Sequence, residues 1–372
     1  MMVEDSTTQR ITRLTPLKDI LALVDAQTAA VKPQRWNVAT TLGYTLAEDV
    51  VTSQRPEHPI ALRDGYAVEA AAIADASSYT PVPLRLPIRR IDLGESMPDG
   101  TDAVLPLDAV VFRAEQAQAV APVTAGEGML PAGGDAVPHS LMRRAGDRMR
   151  SIDVVAAQAA RIKSALVREP RIAVVLGVEP VIPLGGVGGL LVRSVFEAGA
   201  TVSNKPGMTL DVAVADPDND AIVAFGGTGS GRHDNAVQEL ARLGRVEVHG
   251  IAISPGQTTA LGFAGVRPVL LVSGRLDAAL AAWHLIGRSI VAKLAGGMID
   301  HKTIMLPLKR KVASAIGLTE FIPVSCKDGM AEPLASGYLS FMSLTLSDGW
   351  IAVPAESEGS PAGSHVAVHP WP

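Results

Sequence analysis

The sequence predicts a multidomain fold of the α/β plus β class, and three observations carry that expectation. At 372 residues the chain is longer than one small hydrophobic core serves, so it divides into several folding units. Between 170 and 297, short near-continuous apolar runs alternate with helical patterns, as in a parallel sheet covered on both faces. On either side of that stretch, short runs separated by Pro and Gly read as β-rich.

Taken in order, Thr15-Pro16 opens a helix, with Thr as N-cap and Pro at the first helical position. Leu17, Leu21, Val24 and Val31 follow at helical spacing, and a short element lies in 39–50. From 51 to about 140, VPLRLPIRRIDLG and TDAVLPLDAVVF read as strands. A second helix is expected over about 151–164, with Ile152, Val155, Ala156, Ala159 and Ile162 on one face. RIAVVLG and DAIVAFGG are apolar strands, and GLLVRSVFEAGATV reads as helix then strand. DNAVQELARLG is a helix ending at Gly244, while VEVHGIAI and RPVLLVSG are strands. LDAALAAWHLIGRSIVAKLAG is a long helix ending at Gly296 or Gly297. After Lys302, KRKVASAIGL and GWIAVPA return to strands and turns, predicting a small terminal β domain.

Composition narrows the function. The 47% hydrophobic and 19% charged shares are those of an ordinary globular protein. A net charge of −5, 4% aromatic residues and the lack of a long basic run argue against a nucleic-acid partner. Cys326 is the only cysteine, which excludes an intramolecular disulfide and a multi-Cys metal site; it reads as a small buried side chain. MMVEDSTTQR has no apolar signal core. The most apolar stretch, 268–296, is interrupted by Arg275, Asp277, His284, Arg288 and Lys293. The expectation is a soluble cytoplasmic chain with no membrane span. The histidines lack zinc-site spacing, and no G-x-S-x-G elbow is present.

The sharpest chemical signal is Gly226-Gly227-Thr228-Gly229-Ser230-Gly231, after the strand DAIVAF and before a helix starting near Asp234. In open α/β sheets ligands bind at the carboxyl ends of strands. Glycines there let N–H groups approach a phosphate, and a helix N-terminus adds positive partial charge. The run lacks a Walker lysine and GxGxxG spacing, so nucleotide hydrolysis and dinucleotide binding are poorly supported. Asp234 is either a catalytic carboxylate or a helix N-cap. A second cluster, Leu184–Gly189, carries no polar side chain and reads as a loop. Ser254-Pro255-Gly256-Gln257-Thr258 is expected on the same edge as the 226–231 loop. Arg63-Asp64-Gly65-Tyr66-Ala67 alone reads as a surface turn.

These segments occur in an order that resembles the molybdopterin molybdenumtransferase family (the MoeA/gephyrin group) from about residue 14 to the end. Thr41 through Val50 is similar to that family's A-L-G-R-x-L-A-E-D-V, and Ala61-Leu62-Arg63-Asp64-Gly65-Tyr66-Ala67 to its S-A-M-D-G-Y-A. Met97 through Leu105 resembles L-P-x-G-A-D-A-V-V, Phe225 through Asp234 resembles S-G-G-V-S-x-G-D-x-D, and Ser254 through Thr258 resembles K-P-G-K-P. The resemblance implies an elongated homodimer. Its expected domains are a helical linker (10–50 and 138–169), a β-rich lobe (51–137), an α/β molybdopterin-binding domain (170–297) and a C-terminal β barrel (302–372).

It also implies molybdate insertion into molybdopterin or its adenylylated form, with Mg2+. By carry-over, Asp64, Asp135 and Asp234 are the catalytic candidates, and Asp234 and Asp64 the metal candidates. Gly226, Gly227, Thr228, Gly229, Ser230, Gly231, Pro255 and Gly256 would hold the pterin. A molybdoenzyme or another cofactor-biosynthesis protein is the implied further partner. The departures are as specific as the matches. Both lysines of K-P-G-K-P are Ser254 and Gln257, the arginine run before G-E-D is Leu130-Pro131-Ala132, and the first acid after the glycine run is Arg232. Gly185-Gly186-Val187 replaces an aspartate-asparagine segment, and L-P-G-N-P reads Val272-Ser273-Gly274-Arg275-Leu276. Arg232, Arg275 and Arg63 are the residues able to restore positive charge. Two roles therefore stay open: the transferase, or an inactive paralogue that carries or senses the cofactor or serves a molybdoenzyme.

Overall fold

The computed structural model describes residues 9–85, 87–113, 116–176, 185–203, 207–297 and 303–371. The chain forms two compact units. One takes the residues up to Glu48, Ala145–Val154 and Ser164 onward; the other takes Asp49–Arg144 and Val155–Lys163.

The α/β sheet of the first unit runs, in spatial order, Thr201–Ser203, Arg171–Leu176, Ala221–Phe225, Arg267–Val272, Ala260–Ala264 and Arg245–His249. The first four strands are parallel, and the last two join antiparallel. An all-parallel sheet is therefore corrected to a parallel core with an antiparallel edge. The cause is local: Ala264 pairs with Arg267, so only Gly265 and Val266 turn the chain, and a two-residue turn demands antiparallel strands. VEVHGIAI is also not one strand. It breaks at Gly250 (φ +103°), after which Ile253–Ser254 pairs with Thr319–Lys327 in the C-terminal sheet.

Alternate residues of the parallel strands feed two apolar clusters, one per face. Ile172, Val174, Val223, Phe225 and Leu270 pack with Ile20, Val24, Trp283 and Ile286. Ala173, Val175, Ile222, Ala224 and Leu271 pack with Leu210, Ala213 and Leu240. Burial on both faces is why these strands read as continuous apolar runs. The apolar stretch Leu276–Ala295 is the one described helix with the length and hydropathy of a membrane span, and 72% of its apolar window is buried in this core. It is α-helical except at Trp283–Gly287, which is π-helical, and it closes at Gly296 in the left-handed conformation.

Near the N-terminus, Leu17–Gln27 is helical, and Gln34–Asn37, Ser164–Arg168 and Thr45–Leu46 form an antiparallel sheet. The helix expected over 151–164 is shorter, Ser151–Ala159, and Arg161 leaves it with φ +58°. Its expected apolar face is turned to solvent: Ile152 is 63% and Val155 59% exposed, while Val154 and Ala157 are buried. The Gly185–Gly189 cluster, read as a loop, opens the helix Gly185–Glu197; Leu184 lies outside the described residues.

In the second unit, Gly65–Val68 pairs with Arg89–Ile91 and Ala103–Pro106, and Gln116–Ala119 with Val82–Pro83 and Val110–Arg113. The C-terminal sheet runs Ile253–Ser254, Thr319–Lys327, Gly349–Val353, His365–Pro370, Ile304–Pro307, with Met330–Pro333 beside Thr319–Lys327. An isolated bridge joins Leu308 to Ala331, but among the described residues these ladders do not close into the expected barrel.

The π-helical segment carries His284 into an aromatic cluster. Its ring lies 5.5 Å from Trp350 and 6.0 Å from Phe321, which stack on each other at 4.6 Å. Burial, helped by the charges of Arg288 and His369, pushes the imidazole pKa down to about 3. The unfolded chain, with a value near 6.5, takes up this proton first as pH falls. The neutral ring's contribution is thus complete above pH 6.5 and lost on descent toward pH 3, at up to about 1.4 kcal/mol per pH unit. Replacing the ring by His284→Phe removes this proton uptake. Between pH 7 and pH 5, urea denaturation should show the variant losing about 2 kcal/mol less stability than the parent. Equal losses would mean that His284 is not held neutral.

Candidate functional site

The glycine run lies where the fold ends its parallel strands. Ala221–Phe225 stops, and the N–H of Gly226 makes one more ladder bond, to the carbonyl of Val272 (2.9 Å). Gly226 (φ +91°) and Gly227 (φ +70°) then take the left-handed conformation that turns the chain off the sheet. This is the carboxyl edge that the sequence predicts.

Beyond the turn the loop is tied at four points. Thr228, 2% exposed, meets Thr258 hydroxyl to hydroxyl at 3.0 Å, and its carbonyl lies 2.9 Å from His249 Nε2. The carbonyl of Gly227 accepts the Ala236 N–H (3.0 Å). Gly231 and Asp234 close a small turn, N–H of Gly231 to Asp234 Oδ2 (2.7 Å) and N–H of Asp234 to the Gly231 carbonyl (3.0 Å). The fourth tie is Gln9, 8% exposed, which no local pattern in the sequence reveals. Its Nε2 donates to the carbonyls of Gly227 (3.0 Å) and Gly229 (2.9 Å), and its Oε1 accepts the N–H groups of Val237 (2.9 Å) and Gln238 (3.2 Å).

Two sequence expectations change here. The helix begins at Ala236 with Asn235 as N-cap, so Asp234 is not the cap; it braces the loop instead. The helix N-terminus is also not an open anion site, because Gln9 takes two of its first free N–H groups. What stays open is the loop itself. Among the described residues, the N–H groups of Gly227, Thr228, Gly229 and Ser230 have no acceptor. Unpaired peptide N–H groups are donors of the kind that can hold an anionic oxygen.

The neighbouring turns divide unequally. Pro255 and Gly256 are buried, and a Cβ on Gly256 would stand 3.3 Å from the carbonyl of Ala278, so this pair packs inward while Thr258 reaches the loop. Ser254 is buried in its strand. Gly274 lies against the loop, since a Cβ on it would be 3.5 Å from Gly226 Cα. The next residue, Arg275, donates from Nε (3.1 Å) and Nη2 (2.6 Å) to the buried carboxylate of Asp277, with its guanidinium 5.4 Å over the Tyr338 ring. Its guanidinium is held by Asp277 and Tyr338, and it is Gly274, the residue before it, that lies against the loop. Arg232 is exposed on the loop. Arg63 is not available in the same way: it donates to the carbonyl of Val104 and to Glu127 within its own unit.

The other two carboxylates belong to the second unit. Asp64 is exposed and accepts the Leu93 N–H (2.8 Å). Asp135 lines a cleft of about 780 Å³ with Arg55, Glu57, His58 and Arg161, a lining that does not include Asp64. Among the described residues no cluster of three or more His, Cys, Asp or Glu side chains gathers to hold a metal ion. Asp64 and Asp234, the residues expected to hold Mg2+, each accept a backbone N–H, from Leu93 and Gly231.

Residues 15–160 match the family model of the MoeA N-terminal region (domain I and II), and residues 305–371 that of the MoeA C-terminal region (domain IV), together more than half of the chain. A putative molybdopterin biosynthesis protein of Methanocaldococcus jannaschii is 35% identical over 155 residues, 41% of this chain and 36% of the relative, so the match spans about a third of that relative's length. The molybdopterin biosynthesis MoeA protein of Pyrococcus horikoshii superposes with a TM-score of 0.73 at 24% identity, over 97% of this chain and 100% of the other. A molybdenum cofactor biosynthesis protein of Pyrococcus furiosus gives 0.59 at 19% identity, over 96% and 100%.

The loop geometry separates its glycines by need. At Gly227 a side chain would face both φ +70° and a Cβ contact of 3.0 Å with Ala236 Cβ. At Gly229 the backbone is unstrained and the near atom, 2.7 Å away, is the movable Oδ2 of Asp234. Gly227→Ala should lower stability by about 1–3 kcal/mol in denaturant titration, and Gly229→Ala by less than about 1 kcal/mol. The reverse order would mean that the loop takes another conformation.

Proposed function

The chain belongs to the MoeA family of molybdenum cofactor biosynthesis, and on that basis we propose that it binds molybdopterin, or its adenylylated form, at the 226–231 loop and inserts molybdate. The observation that carries the proposal is the set of four unpaired N–H groups at the carboxyl edge of a parallel sheet. They suit the phosphate of the pterin, an anion whose charge-assisted bonds contribute about 1.5–3 kcal/mol each. Arg275, next in the chain to the Gly274 that lies against the loop, would supply a cation that Ser254 and Gln257 do not.

In this reading Asp234 is the candidate catalytic carboxylate implied by the family resemblance. Its carboxylate lies against Gly229 and Gly231 and braces the loop through the Gly231 N–H. Molybdate would be the second substrate, and Asp64 and Asp135 the further carboxylates that the family resemblance implies for the reaction. The chain would act in the cytoplasm as a homodimer; the exposed Ile152 and Val155 offer an apolar ridge for a second copy.

A second reading rests on the charge inventory. With the two lysines absent and Asp234 the one carboxylate seen bracing the loop, the chain would carry or sense the cofactor, or serve a molybdoenzyme, without turning molybdate over.

Anaerobic calorimetry with molybdopterin and its adenylylated form, with and without molybdate and magnesium, tests both. Gly229→Val fills the mouth of the loop and should weaken binding at least tenfold while the fold stays intact, and Arg275→Gln should weaken it severalfold. Asp234→Asn keeps an acceptor for Gly231 while removing charge; it should bind the pterin and lose molybdate insertion. Gly229→Val binding as well as the parent would place the ligand elsewhere. A parent that binds but never inserts molybdate would select the carrier reading. Light scattering should return twice the monomer mass.

A further inference from the structure

We propose that Gln9 is a positioning residue of the 226–231 loop, one that sets the direction of the N–H groups meant for the ligand's anionic oxygens. The proposal rests on reading that loop as the ligand site. A carboxamide has two N–H donors and one oxygen with two lone pairs, and Gln9 uses all of them: two on loop carbonyls and two on helix N–H groups. At 8% exposure the side chain is enclosed, so these bonds do not compete with solvent.

The peptide unit converts this contact into direction. In a planar trans peptide, C=O and N–H point opposite ways. The carbonyls of Gly227 and Gly229 are held toward Gln9 Nε2. The N–H groups sharing those two planes, of Thr228 and Ser230, therefore face away from Gln9, and both are among the four with no acceptor in the described residues. One side chain thus orients two of the four free donors. The contact cannot drift, because the arm bearing Gln9 is fastened a few residues later. Thr15 donates to the carbonyl of Gly250 (3.0 Å) and accepts the Ala252 N–H (2.8 Å). Gly250, at φ +103°, lies so close to the arm that a Cβ would be 2.5 Å from Ile11 Cγ2.

Gln9 also explains why the ligand position is the loop and not the start of the helix. Its Oε1 already satisfies Val237 and Gln238, leaving the outward-facing loop donors as the place for an anion.

The test compares Gln9→Glu with Gln9→Ala in the full chain. Glutamate keeps the acceptor for Val237 and Gln238 but loses both donors and sets a carboxylate against two carbonyls. We expect Gln9→Glu to bind molybdopterin at least tenfold more weakly in anaerobic calorimetry. Without ligand, its Thr228 and Ser230 amide resonances should move while those of Val237 and Gln238 hold, and the denaturation midpoint should fall while the variant stays folded at the assay temperature. Gln9→Ala should disturb both sets of resonances and lose at least as much affinity. A parent that binds and a Gln9→Glu variant that binds equally well would overturn the positioning role alone. A parent that binds no molybdopterin would overturn the reading of the loop and the positioning role with it. Unmoved Thr228 and Ser230 resonances in both variants would show that Gln9 does not make the contact.

Discussion

How the chain leaves the parallel sheet after Phe225 governs the site. The ladder between Ala221–Phe225 and Arg267–Val272 persists for one further bond, Gly226 to Val272, and then stops because two left-handed glycines turn the backbone away. Each following peptide must find a new partner or remain open. The carbonyls find Gln9, Ala236 and His249, and the N–H groups from Gly227 to Ser230 find none among the described residues. The asymmetry, with the carbonyls of Gly227, Thr228 and Gly229 satisfied and the donors free, is the basis for proposing an anionic ligand here. It exists because the sheet beneath is buried on both faces and holds the strand ends rigid.

Charge is arranged around that asymmetry more than in it. A chain of net charge −5 places few cations here, and the loop's nearest ionised side chain is an acid, Asp234. Arg275 is fixed by the buried Asp277 and by stacking on Tyr338, so its side chain is already ordered. Since Asp277 neutralises much of its charge, geometric recognition through N–H groups carries more weight here than net attraction.

The parts legible in the sequence were those set by local pattern. Alternating apolar runs and helices placed the α/β region, and glycines after DAIVAF placed the loop at the carboxyl edge. The antiparallel edge was missed because the two-residue turn at Gly265 and Val266 does not look like a hairpin unless both flanks are recognised as strands, and Ala260–Ala264 is an apolar run without alternation. The helix Ser151–Ala159 showed a correct period but the wrong consequence, since periodicity finds an apolar face without saying what covers it. Gln9 was invisible for a different reason. A polar residue in an N-terminal segment carries no signal of contacts with residues 218 to 229 positions away. Likewise, Asp234 looked like a helix cap because capping residues and turn-bracing residues are the same few types.

The central claim is that the unpaired N–H groups of Gly227, Thr228, Gly229 and Ser230 are the ones that meet the ligand. Amide chemical-shift mapping of the isotope-labelled chain during anaerobic addition of molybdopterin addresses it directly. Those four amides should move first and farthest, with saturation at one pterin per chain, while Val237 and Gln238, already bonded to Gln9, move little. A saturable response centred on other amides, with these four unchanged, would contradict the account.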